Sequence, residues 1–352
     1  MSLTTSIEMF IPELHSGNTV LLDVRSPKEY LHAHLPGAIS LPLMNDEERA
    51  AVGITFKKEG REAAIVKGFE LAGNRFGDFI KKVKELSPNK EVMMYCWRGG
   101  LRSSIMAWVL STAGFKVTLL KGGYKSFRSW VLAELQTEKN IIVIGGKTGS
   151  GKTELLIEIK KAGEQVIDLE KLAHHKGSSF GSLGQPPQPS TEQFENLLAM
   201  EWFNADKNKI LWLENESLLI GTCAIPNSVF DQIRNAPVIE IMLDYEIRKK
   251  RILNEYGHFD KKILAEKTTK VKKRLGGLRL KEALAFLEIG NMENWCDIML
   301  NYYDDTYEHS NQFREKNKVK QIFLENDDMK QHIEKVIHNS QFIMHNLKEV
   351  IN

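Results

Sequence analysis

The stretch that most constrains this chain is Ile141 to Thr153, IIVIGGKTGSGKT. The β-branched apolar run Ile141 to Ile144 reads as a buried strand that must end where the glycines begin. From Gly146 the turn spells Gly-x-x-x-x-Gly-Lys-Thr and contains Gly146, Gly149, Ser150, Gly151, Lys152 and Thr153. Glycines allow backbone N–H groups to converge on an anion, Lys152 adds a cation, and Thr153 opens a helix whose N-terminal dipole favours negative charge. TELLIEIKKAG follows with apolar residues at helical spacing, so both flanks suit a phosphate cradle.

At 352 residues the chain exceeds the usual size of one core, and two domains are expected, 1–130 and 131–352. No apolar run approaches the ~20 residues that span a bilayer, and the first residues lack a basic start or a leader-like apolar run; a cytoplasmic protein without membrane contact is expected. Cys96, Cys223 and Cys296 are too few and too scattered for a disulfide framework or a cysteine metal cluster, which points to thiols in a reducing compartment. The net charge of +2 conceals an uneven distribution: Glu246 to Lys281 holds 13 Lys/Arg against 4 Asp/Glu, the footprint of a polyanion binder.

In the first domain, TVLLDVRS followed by PKEYLHAHLPGAISLP reads as strand, short helix, turn and short strand, punctuated by Pro27, Pro36, Gly37 and Pro42. A charged helical stretch runs from about Glu47 to Leu86. EVMMYCWRGGLRSSIMAWVLSTAGFKVTLL then gives strand, loop, helix and strand, with Cys96 at the carboxyl end of its strand. Loop N–H groups, the next helix N-terminus, Arg98 and Arg102 surround the thiol, an environment that lowers a cysteine pKa of ~8.5 by several units. Cys96 is the candidate nucleophile; the competing reading is a small buried residue at a strand end. Cys223 and Cys296 lack basic neighbours and are assigned to packing.

In the second domain, Ser126 to Asn140 carries apolar residues at helical spacing and is expected to join the domains as one helix. Gly177 to Gly184 and the prolines after it form an irregular stretch that reads as a substrate lid, with His174, His175 and Lys176 available to phosphate or RNA. ILWL is a buried strand closed by Glu214, Asn215 and Glu216; either glutamate can orient Mg²⁺ or its water shell beside a phosphate loop. APVIEIMLD is a further strand, so alternating strands and helices predict a parallel sheet with ligands at its carboxyl edge. Lys261 to Arg279 reads as a helix before a Gly276-Gly277 turn, with Lys267, Lys270, Lys273 and Arg274 lining one face. Lys270, Lys272, Lys273 and Arg274 are the candidate RNA contacts, against the alternative of a merely solvated face. The remainder reads as helices and charged turns.

The segments LLDVRSPKEYLHAHLPGAISLP, YCWRGGLRS and VTLLKGGY resemble the rhodanese family, whose loop cysteine accepts sulfur while loop amides and arginine bind an anionic donor. Sulfurtransferases of that family have six residues from Cys to Arg; CWRGGLR has seven, similar to members that hold tetrahedral oxyanions, which implies a wider cradle for a phosphate-sized group. Joined to a P-loop domain, with GGKTGSGKT, DLEKLAHHKGSSFG, LENES and KKRLGG in that order, the chain resembles the bacterial tRNA 2-selenouridine synthases. The resemblance implies an α/β fold, a rhodanese-like domain followed by a P-loop NTPase-like parallel-sheet domain with a helical C-terminal part. It further implies replacement of the sulfur of wobble 2-thiouridine in tRNA by selenium from selenophosphate, through an S-geranyl intermediate made from geranyl diphosphate. A selenophosphate-producing enzyme is then a plausible partner, and no tightly bound cofactor is expected. Three rival classes stay open from sequence: a P-loop kinase or ATPase with a regulatory rhodanese module, a phosphatase acting through Cys96, and a non-enzymatic RNA-binding protein.

Overall fold

The computed structural model of the chain describes residues 2–15, 17, 19–311 and 314–351. The chain divides into two units, Met1–Leu135 with Pro189–Met200, and Gln136–Gln188 with Glu201–Asn352.

The first unit is built on five parallel strands: β1 (Ser2–Thr5), β2 (Val20–Asp23), β3 (Ile39–Ser40), β4 (Glu91–Tyr95) and β5 (Lys116–Leu120), in the order β1-β5-β4-β2-β3. Leu22, Met94 and Val117 from the sheet pack with Met106 and Leu110 of helix Leu101–Thr112 and with Phe115. Continuous apolar strands of this kind are what a sheet covered on both faces requires. Pro27 sits at the first position of helix Pro27–His32, and the Ser26 N–H donates to Glu29 at 3.0 Å, which sets where that helix begins. Reciprocal bonds between Asn45 and Glu48, at 2.9 and 2.8 Å, do the same for helix Asp46–Glu59. The β1 strand was not anticipated; SLTT is short and mostly exposed, with no alternation to announce it.

The division of the chain differs from a simple cut at 130. Pro189–Met200 belongs to the first unit. There Gln193 Oε1 accepts the His34 N–H at 2.7 Å, Glu192 accepts the Tyr124 hydroxyl at 2.6 Å, and Asn196 accepts from Arg128 at 2.5 Å. Nothing local in PSTEQFENLLAM signals polar partners more than 60 positions earlier.

The second unit contains β6 (Asn140–Gly146), β7 (Gln165–Val166), β8 (Ile210–Glu214), a short antiparallel hairpin of β9 (Leu219–Ile220) and β10 (Cys223–Ala224), β11 (Val238–Met242) and β12 (Val319–Phe323). The main sheet is parallel, ordered β12-β11-β6-β8-β7. Ile142, Ile144, Trp212, Ile239 and Ile241 pack against Leu155, Leu156 and Ile159 of helix Lys152–Lys161, together with Met329 and Val336. A second cluster, including Phe180, Tyr256, Leu264, Leu287, Trp295 and Met299, gathers the later helices.

Three expectations are corrected here. The helix read over Ser126 to Asn140 is Gly123–Glu134, and Asn140 already begins β6. Thr137 to Lys139 offers no apolar residue to continue the helical face, whereas Ile141 opens a β-branched run. Lys261 to Arg279 is not one helix: Lys261–Lys270 ends at Val271, Lys272–Leu275 forms a single turn, and Gly276 at φ 88° starts a new helix, Gly277–Ile289. The single charged face expected there is therefore broken. The C-terminal part also contributes the edge strand β12; VKQIF carries Lys320 and Gln321 and only Ile322 in it is buried, as suits an edge strand. The irregular stretch after His174, read as a substrate lid, is tied to its own unit at several points. Phe180 is 3% exposed in the helical core, Lys176 N–H bonds Gly181 O at 3.0 Å, and Lys267 donates to Ser182 Oγ at 2.5 Å.

Candidate active sites

The phosphate loop stands where the sequence places it, between β6 and helix Lys152–Lys161. Gly146, Gly149 and Gly151 have φ of 145°, 79° and 83°, a region that L side chains avoid. A Cβ on Gly146 would also lie 2.8 Å from the Ile241 carbonyl, a backbone atom that cannot give way, so sterics demand glycine there too. The buried Ser150 hydroxyl has no hydrogen-bond partner among the described residues. Lys152 Nζ donates to the Gly146 carbonyl at 3.0 Å, holding its charge over the loop. Neighbouring elements brace the outside. Lys147 pairs with Glu308 at 2.7 Å, Arg248 donates to the Thr148 carbonyl at 3.1 Å and pairs with Asp304, and the Tyr307 hydroxyl accepts the Gly146 N–H at 2.7 Å.

Register sets the acidic side of this site. Ile144 of β6 lies opposite Glu214 of β8, and the Asn215 N–H bonds the Ile144 carbonyl at 3.0 Å. Thr153 Oγ1 is 3.2 Å from both Glu214 Oε1 and Glu170 Oε2. Carboxylate oxygens of Glu170, Glu214 and Glu216 all lie within 4.8 Å of one another. Burial, then the neighbouring acids, pushes Glu214 well above the usual carboxylate range; burial and the Glu216 charge push Glu170 from 4.5 to about 8. Glu216 is also raised by burial, with Lys152 opposing. Three oxygen donors crowded beside a Thr hydroxyl, short of positive charge, fit a hard divalent cation. The choice between Glu214 and Glu216 dissolves, since both are present. Glu170 was missed; its signal was an acid just beyond β7, in DLEK, at the same carboxyl edge.

The loop, Glu170 and Glu216 open into a cavity of about 1360 Å³. Its wall includes Lys176, Arg234, Arg251, Arg274 and Arg279 as well as Tyr256, Tyr302, Tyr303 and Tyr307. Arg251 pairs with Glu154, Lys176 with Glu255 and Arg279 with Asp305, whereas Arg234 and Arg274 have no acidic partner among the described residues. Of the four candidate RNA contacts, Arg274 thus reaches the cavity wall, while Lys270, Lys272 and Lys273 are exposed outside it. His174 is engaged with the Pro187 carbonyl at 2.9 Å, and His175 is buried.

In the first unit, Cys96 follows β4 and is 3% exposed at the base of its loop. Its Sγ accepts the Gly100 N–H at 3.3 Å and the Ser103 hydroxyl at 3.2 Å. The loop rests on the Gly122-Gly123 turn: Tyr124 N–H bonds the Cys96 carbonyl at 2.8 Å and Lys125 N–H bonds the Trp97 carbonyl at 3.0 Å. A Cβ on Gly123 would lie 2.2 Å from the Cys96 carbonyl oxygen. The two arginines differ. Arg98 is exposed and has no acidic partner among the described residues, so it remains available to an anion. Arg102 instead pairs with Glu29 at 2.5 and 3.2 Å. Burial alone would raise Glu29, but the Arg102 charge and hydrogen bonds hold its carboxyl below the usual range. Arg102 therefore ties helix Leu101–Thr112 to helix Pro27–His32. Cys223 and Cys296 are buried, and burial pushes both thiols up, Cys296 to about 12, as packing residues. Among the described residues no helix is long and apolar enough to cross a membrane.

Both parts of the chain are similar to known proteins. Residues 139–340 match the family described as the tRNA 2-selenouridine synthase AAA domain, and residues 8–129 match the rhodanese-like domain. The tRNA 2-selenouridine synthase of Shewanella pealeana is 33% identical over 354 residues, covering 89% of this chain and 93% of that protein. The protein of that name from Sulfurovum sp. is 36% identical over 329 residues, 83% of this chain and 88% of that protein. The one from Nitrosomonas europaea is 37% identical over 254 residues, 69% and 65% respectively. The AAA-domain match spans more than half of the chain and the relatives are more than 30% identical over most of its length, so the chain belongs to the tRNA 2-selenouridine synthase family.

Proposed function

We propose that this protein converts 2-thiouridine at the wobble position of tRNA to 2-selenouridine in two steps, in the cytoplasm, using geranyl diphosphate and then selenophosphate. The observation that carries the reading is the presence of two different anion-handling sites in one chain. One is a phosphate loop with a cation, Lys152, and an acid cluster; the other is a thiol, Cys96, cradled by a loop amide and Ser103 beside the free Arg98.

In the first step the thiouridine sulfur attacks the prenyl carbon, the ring nitrogen gives up its proton, and diphosphate departs. Lys152 and the amides of Gly149 to Thr153 stabilise the charge that develops on the leaving group, the kind of preorganised contact that dominates such reactions. The carboxylates of Glu170, Glu214 and Glu216 with the Thr153 hydroxyl would hold Mg²⁺, which when bound neutralises diphosphate charge. In the second step the Cys96 loop, with Arg98, holds selenophosphate. Selenium adds to the base carbon, the prenyl thiol leaves, and water takes the phosphoryl group. The exposed residues Lys270, Lys272 and Lys273, with Arg274, contribute to holding the tRNA. A selenophosphate-producing enzyme supplies the second donor.

The test is incubation of purified protein with 2-thiouridine tRNA and each donor, followed by nucleoside mass spectrometry. Geranylated and then selenated uridine is the expected sequence of products. ATP hydrolysis that needs no tRNA, with neither product formed, would replace this reading by that of a P-loop ATPase.

A further inference from the structure

The mechanism leaves one feature of the Cys96 loop unused. Trp97, next to the thiol, is 39% exposed, although an indole gains far more from burial than most side chains. It is not a loose side chain. Its ring lies against Tyr124 with centroids 5.5 Å apart, and the Arg25 guanidinium stands 5.8 Å from it. Arg25 is itself fixed by Asp23, at 2.6 to 3.0 Å, and by the Ala33 carbonyl at 2.6 Å. With the Lys125 N–H on its own carbonyl, Trp97 is held from its backbone and supported on its ring, yet a large part of its surface faces solvent. Lys125, joined to Trp97 by that backbone bond, is exposed and has no acidic partner among the described residues. A rigid aromatic surface with an unpaired cation on a neighbouring residue is the combination that receives an unstacked base and a phosphate beside it.

We propose that the rim of the Cys96 loop is a docking site for single-stranded RNA, in which Trp97 stacks on a nucleobase of the substrate loop while Lys125 contacts a backbone phosphate. This rests on the reading of the protein as a tRNA-modifying enzyme and adds what brings the base to the thiol. Stacking requires a flat π-face, so Phe can replace Trp97 in part and Leu cannot. A merely apolar contact, such as one with the prenyl chain, would accept Leu.

The experiment uses the full chain with Trp97→Phe, Trp97→Leu and Lys125→Gln. The rate of selenium transfer to pre-geranylated tRNA is measured with tRNA and selenophosphate varied separately, and thermal midpoints check folding. Trp97→Leu should raise KM for tRNA by roughly tenfold or more, the worth of one lost base stack, with KM for selenophosphate unchanged. Trp97→Phe should recover much of that loss. Lys125→Gln should lower the log–log salt slope of tRNA binding by about 0.7 to 0.9. A Leu variant within twofold of wild type, or a Phe variant no better than Leu, would overturn the proposal. If wild-type protein transfers no selenium, the functional reading fails, and direct tRNA binding by the three variants still decides whether Trp97 stacks. If Trp97→Leu does not fold, an unchanged salt slope in Lys125→Gln overturns the phosphate contact by itself.

Discussion

The Thr153 hydroxyl lies 3.2 Å from Glu214 Oε1, joining the last residue of the phosphate loop to the end of the adjacent strand. With Glu170 equally close and Glu216 beside them, this pair marks the place where diphosphate charge and cation charge would meet.

The pH dependence follows from that crowding. Burial and the Glu216 charge raise Glu170 from 4.5 to about 8, and burial with the neighbouring acids raises Glu214 as well, so these acids favour the folded state most when protonated. The Glu170 contribution is full below about pH 4.5 and is lost as pH rises through about 8. Mg²⁺ binds the ionised carboxylates, so its stabilising effect should run the opposite way and grow with pH. Thermal midpoints with and without Mg²⁺ should separate more at pH 8.5 than at pH 6. An equal separation at both would remove the acid cluster as a cation site.

Lys152→Ala should remove geranylation while leaving selenium transfer to pre-geranylated tRNA largely intact. One lost charge-assisted contact to a leaving group costs ~10²–10³ in rate. Geranylation near the wild-type rate would assign the phosphate loop a different ligand, most directly a nucleotide.

Cys96→Ser keeps the shape of the site and the partners Gly100 N–H and Ser103, but replaces the thiol. Prenylation should persist and selenation should stop, read by mass spectrometry after supplying each donor separately. Full selenation by the serine variant would exclude a role for the sulfur.

Gly123→Ala should abolish selenation through the loop backbone alone. The new Cβ would sit 2.2 Å from the Cys96 carbonyl and 2.5 Å from the Gly99 nitrogen, at a φ of 59°. The left-handed conformation by itself costs about 1–2 kcal/mol, and the clash adds to it. Gly77→Ala is the control: no atom lies within 4 Å of its Cβ position inside helix Phe76–Leu86, and stability should hold or rise.

Neutralising Lys270, Lys272, Lys273 and Arg274 together should weaken tRNA binding and reduce its log–log salt slope by roughly two to three. Filter binding over a salt series measures this. An unchanged slope would mean a solvated surface, and binding of RNA would then centre on the Cys96 rim.

What the sequence determined alone is what depends on neighbours along the chain. The phosphate loop was legible because a β-branched run, three glycines and Lys152-Thr153 must follow one another at fixed spacing. Cys96 was legible for the same reason, as a thiol between a buried strand and a glycine-rich turn. The parallel sheets and Glu214 at the end of β8 followed from the alternation of elements. Tertiary structure decided what depends on convergence of distant segments. Glu170 joins Glu214 and Glu216 only because β7 and β8 end at the same sheet edge. Arg102, which local sequence places near the thiol, is taken by Glu29, 73 positions earlier. Pro189–Met200 enters the first unit through polar contacts with His34, Tyr124 and Arg128. Glycine conformation and strand burial act over a few residues and leave a local pattern, whereas pairing of charges across a fold is set by where the chain returns and leaves none.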